Sequence, residues 1–94
     1  MLFLNKYKRK KHIEVILNVF SKTYEIRKNY KINSKYVADL YFPELKIVID
    51  FSNDFNDKMS KIIEQSDCII LDIKNLDDIY STLSRIVYVI KQRN

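Results

Sequence analysis

The chain has 94 residues and a mass of 11.4 kDa, enough for one small domain spanning 1–94. Its 47% apolar and 31% charged content is that of a globular chain, and its net charge of +5 favours an anionic partner. With no Gly, one Cys and one His, it excludes a Gly-rich phosphate loop, a dinucleotide fingerprint, a Cys/His zinc site and a disulfide framework.

Residues ~7–20 read as a helix, because Ile13, Ile16, Leu17 and Phe20 recur at i, i+3, i+4 and i+7. Residues ~23–31 alternate loosely through Tyr24, Ile26, Lys28 and Tyr30, as a strand does. YVADLYF (36–42) and KIVIDF (46–51) are strands rich in β-branched and aromatic residues, with a tight turn at Pro43-Glu44. Residues ~54–66 place Phe55, Met59, Ile62 and Ile63 on one helical face. CIILDI (68–73) is a continuous apolar run suited to a strand covered on both faces. Over 76–92, Leu76, Ile79, Tyr80, Leu83, Ile86, Val87 and Ile90 trace one stripe, with Asn75 as N-cap. The order α-β-β-β-α-β-α contains a β-α-β crossover after an antiparallel meander. The expected fold class is therefore α/β of the α+β kind: a mixed four-stranded sheet flanked by helices.

The charge is uneven. Residues 1–47 carry 11 Lys/Arg against 4 Asp/Glu, and residues 48–94 carry 6 against 8. The densest cluster is Lys6, Lys8, Arg9, Lys10 and Lys11. It suits phosphate contact, and equally a solvated helix start in a Lys-rich chain. Tyr and basic residues also interleave between Lys22 and Tyr41, a mixture that stacks bases or simply snorkels. His12 reads as a surface residue and Cys68 as a small core residue. No apolar run approaches the ~20 residues of a membrane span, and no signal-peptide cleavage pattern follows the basic cluster. The expected setting is intracellular, and no membrane partner is expected.

Centring the hairpin on Pro43-Glu44 pairs 39 with 48 and 37 with 50. Val37, Asp39 and Tyr41 then share a face with Val48, Asp50 and Ser52, and the two carboxylates are diagonal neighbours. Asp is a poor strand residue, so each either caps a strand end or serves a charge-dependent purpose. Two close carboxylates repel unless a cation such as Mg²⁺ or Mn²⁺ intervenes.

The element order, with Asp39-x10-Asp50-Phe51-Ser52, resembles the PD-(D/E)XK, restriction-endonuclease-like nuclease superfamily. The stretch YVADLYFPELKIVIDF is more narrowly similar to nuclease-like domains of large DNA viruses and phages. The resemblance implies metal-dependent phosphodiester cleavage, with Asp39 and Asp50 as the metal-binding acids and Glu14 as an additional one. Ser52 stands where the family places Lys, so Lys58 or Lys61 would supply the missing charge. Three functions follow as expectations. One is a Mg²⁺-dependent or Mn²⁺-dependent endonuclease. Another is a catalytically degenerate domain that binds nucleic acid, DNA before RNA. The third is a viral or phage protein that blocks a host protein, with an apolar last helix available for a homodimer.

Overall fold

The computed structural model describes residues 2–34, 36–51, 61 and 67–93. Their order is α1 (Leu2–Phe20), β1 (Arg27–Asn33), β2 (Tyr36–Phe42), β3 (Ile47–Asp50), β4 (Ile69–Asp72) and α2 (Ile79–Arg93). The strands form one four-stranded mixed sheet in the order β1-β2-β3-β4, with β1-β2 and β2-β3 antiparallel and β3-β4 parallel. This is a small α+β domain, as the element pattern predicts. The expected middle helix lies outside the described residues, apart from Lys61, which is helical.

Both described helices cover the same face of the sheet. Ile16 and Phe20 from α1, with Ile86, Val89 and Ile90 from α2, pack on Leu40, Phe42, Ile47, Ile49, Phe51, Leu71 and Ile73. Phe42 is central: its ring meets Phe20 edge-on at 6.1 Å and Tyr24 at 6.4 Å. A second buried cluster holds Tyr36, Ala38, Val48 and Cys68, with Ile32, Tyr41 and Ile70 packed against it. β3 contributes to both clusters, and all four of its residues are buried. That explains its continuous apolar run beside a parallel neighbour.

Three boundaries differ from the sequence expectation, each for a local reason. Helix α1 begins at Leu2 rather than near residue 7, because its first turns are helical without an apolar stripe to reveal them. The hairpin turn is longer than Pro43-Glu44 alone. Phe42 pairs with Ile47, and the four-residue loop 43–46 ends at Lys46, whose φ of 54° is left-handed. The register consequently shifts by two residues, so Tyr41 faces Val48 and Leu40 faces Ile49. Over the paired residues 40–42 and 47–49 an even shift keeps side chains on their expected faces, whereas Tyr36 and Ala38, expected beside Leu40 and Phe42, pack with Val48 and Cys68. Helix α2 starts at Ile79 and not at 76. The Asn75 side chain accepts from the Asp77 amide (2.9 Å), whereas Asp78 caps the helix by accepting from the Ser81 amide (3.0 Å). The buried stripe of α2 is rotated accordingly: Thr82, Ile86, Val89 and Ile90 are inside, while Tyr80 and Val87 are exposed.

Strand β1 borders the described sheet. Its Asn29 has a φ of 50°, and its pairing with β2 shifts register between Lys31 and Asn33.

Candidate functional site

The switch from antiparallel to parallel pairing gathers three carboxylates. Asp50 ends β3 and lies in register beside Asp72, the last residue of β4. Extending the β2-β3 register by one pair sets Asp39 across from Asp50. In that extension the two acids are opposed rather than diagonal, just past the last paired residues, Leu40 and Ile49. The carboxyl ends of parallel strands beside a change of strand direction are a usual place for a site in mixed sheets.

Each acid has a protein partner. Asp50 is 1% exposed, and its Oδ2 accepts a hydrogen bond from the Tyr36 hydroxyl. Asp39 Oδ2 accepts from the Phe51 amide at 2.7 Å, beyond the last paired residues of the hairpin. Asp72 Oδ2 lies 3.6 Å from Lys74 Nζ. Its buried Oδ1 has no hydrogen-bond partner among the described residues. Burial, then the bond to Asp50 and the charges of Asp50, Asp39 and Asp72, push the Tyr36 phenol well above its ordinary pKa. The phenol therefore remains a donor across the neutral range.

Asp39 and Asp50 have the hard oxygen chemistry that Mg²⁺ or Mn²⁺ requires. As placed, however, one oxygen of each is committed to a protein donor. Among the described residues, no three His, Cys, Asp or Glu side chains converge closely enough to hold a metal ion. Glu14 is exposed on α1 and does not join the pair in such a group. Lys61 is exposed; Lys58 and Ser52 lie outside the described residues. Each of the three acids thus has a hydrogen-bonding or charged protein partner.

The basic cluster divides by helical position. Lys6, Lys10 and Lys11 are exposed, whereas Lys8 and Arg9 are half-buried. Lys8 turns toward the start of α2 and pairs with Asp77 at 2.5 Å. Lys11 Nζ sits 5.7 Å from the centre of the Tyr7 ring. His12 corrects its surface assignment: it is 3% exposed, with Nε2 3.1 Å from Thr82 Oγ1 and its ring edge-on to Phe51. Burial lowers its pKa, opposed by the charges of Asp77 and Asp78. On the sheet, Tyr30 stacks on Tyr41 at 4.7 Å, and the Arg27 guanidinium lies over Tyr30.

Sequence reasoning placed Asp39 and Asp50 on one face but missed Tyr36 and Asp72 as their neighbours. The signal was present for Asp72, an acid closing an apolar strand parallel to one that also closes on an acid. Tyr36 carried no such signal, because its reach to Asp50 depends on the true register. Among the described residues, no helix is long and apolar enough to cross a membrane. No protein-family model matches the chain, and neither curated proteins nor solved structures give a match.

Proposed function

We propose that this chain binds nucleic acid through the solvent face of α1, and that its nuclease-like acid pair serves the fold instead of hydrolysis. The observation that carries this reading is a contrast in exposure. Lys6, Lys10 and Lys11 present ammonium groups to solvent, while Asp50 is buried and bonded to Tyr36. Exposed lysines on a chain of net charge +5 displace counterions from a phosphate backbone, which supplies affinity without reading sequence. DNA is placed before RNA on the resemblance of the hairpin to PD-(D/E)XK nucleases.

The test is duplex-DNA affinity measured across a salt series. Each phosphate neutralised contributes about −0.9 to the slope of log K against log salt. Replacing Lys6, Lys10 and Lys11 together by Gln should make the slope shallower by about 2–3. A salt-independent affinity, or an unchanged slope in the triple variant, would overturn the reading and point to a protein partner. Plasmid nicking that requires Mn²⁺ and is lost in Asp50→Ala would restore the hydrolytic alternative.

A further inference from the structure

The cleft between the middle of α1 and the approach to α2 is separate from the carboxylate cluster and shares only Lys11 with the outer lysines. It encloses about 220 Å³. Val15, Leu76 and Ile79 provide apolar wall, His12 adds a ring, and Tyr7, Lys8, Lys11 and the Asp77 carboxylate also line it. This space corresponds to roughly seven waters at ~30 Å³ each, too much for a lone ion. It is also below the ~300 Å³ at which sites for drug-sized molecules begin. The lining therefore suits one flat, weakly polar ring whose attached anion remains outside, near the ammonium groups.

We infer that this cleft receives a single unpaired base of a bound strand, with Tyr7 as the stacking surface and Lys8 and Lys11 meeting the adjoining phosphates. The inference rests on the proposed nucleic-acid binding and deepens it by adding a subsite for the base. Tyr7 is 58% exposed, so its ring is accessible to a ligand. Lys11, over that ring, is positioned to serve the same nucleotide. The Lys8–Asp77 pair joins α1 to the turn before α2, and Asp77 is 72% exposed. Such an exposed pair is weak, so a phosphate can take Asp77's place on Lys8. His12 contributes an uncharged wall near neutral pH, since burial disfavours its protonated form. Stacking on an aromatic side chain tolerates any base, so this subsite favours unpaired over paired strands without choosing a sequence.

The experiment compares a ten-residue oligothymidylate with an abasic strand of equal length and charge, both fluorescently labelled, at low salt. The thymine strand should bind at least about tenfold more tightly. Tyr7→Ala, which alters an exposed residue, and Val15→Phe, which fills the cleft, should each erase most of that preference. Unlabelled thymidine monophosphate should compete only weakly, because it lacks the neighbouring phosphates. Monophosphate competing as well as the strand would overturn the strand assignment in favour of a free mononucleotide. Equal, salt-sensitive binding of both strands would overturn the subsite while leaving the α1 reading intact. Failure of both strands to bind would overturn the subsite, while the duplex salt series decides the α1 reading separately.

Discussion

Tyr36→Phe isolates one hydrogen bond at the carboxylate cluster. The substitution keeps the ring that packs with Ala38, Val48 and Cys68 and removes only the hydroxyl that Asp50 accepts from. A hydrogen bond to a charged group contributes about 1.5–3 kcal/mol, and Asp50 is too buried for water to replace the lost donor readily. At about 2 kcal/mol, and about 4–8 °C per kcal/mol for a domain of this size, Tm should fall by about 8–16 °C. The assay is urea and thermal unfolding followed by circular dichroism, repeated in an Asp50→Asn background. There the bond runs to a neutral amide, and Tyr36→Phe should cost only about 0.5–1.5 kcal/mol. A loss under about 0.5 kcal/mol in the parent, or equal losses in both backgrounds, would refute a charge-assisted bond. The pH dependence gives a second readout. Because the folded-state phenol pKa is raised, its stabilisation is complete below the unfolded value near 10 and is lost as pH rises above it. Tyr36→Phe should remove that part of the alkaline loss.

Other perturbations reach different parts of the molecule. His12 has a lowered pKa in the folded state, so its contribution is complete above about pH 6.5 and is lost as pH falls through the folded value; His12→Asn should flatten that region of a stability-against-pH curve. Lys46→Gly should raise the urea midpoint by the equivalent of about 0.5–1 kcal/mol, since a left-handed φ strains any residue with a Cβ, and a lowered midpoint would deny that strain. Phe42→Ala should cost about 3–5 kcal/mol, against less than about 0.5 for Val37→Ala on the exposed side of the same strand, as measured by denaturant unfolding.

The strands were legible because their periods are strong. Leu40, Phe42, Ile47 and Ile49 alternate with residues of the opposite face, and no change of turn length within an even shift can undo that. The loop length itself was not legible. A chain without Gly gives no marker for a left-handed turn position, and Lys46 occupies one nonetheless. The start of α2 was obscured by three side chains able to cap it, Asn75, Asp77 and Asp78, of which Asp78 makes the bond. His12 read as solvent-exposed because lysines precede it, yet the helical turn carries it toward Thr82, 70 positions along the chain. Pairings of this kind depend on how α1 and α2 cross, which no local pattern encodes. For the same reason, the hydrogen-bond partners of the candidate site's acids were not readable.

The outer strand β1 has a consequence for behaviour at high concentration. Open strand borders invite neighbouring molecules to add on amide by amide, the route to fibrous aggregates. Here Asn29 twists the border out of line, and Arg27, Lys28 and Lys31 are exposed along it with like charge. A second molecule approaching side by side would meet an interrupted row of amides and mutual repulsion. Crowded preparations should consequently remain dispersed at low ionic strength, and added salt should weaken that protection first.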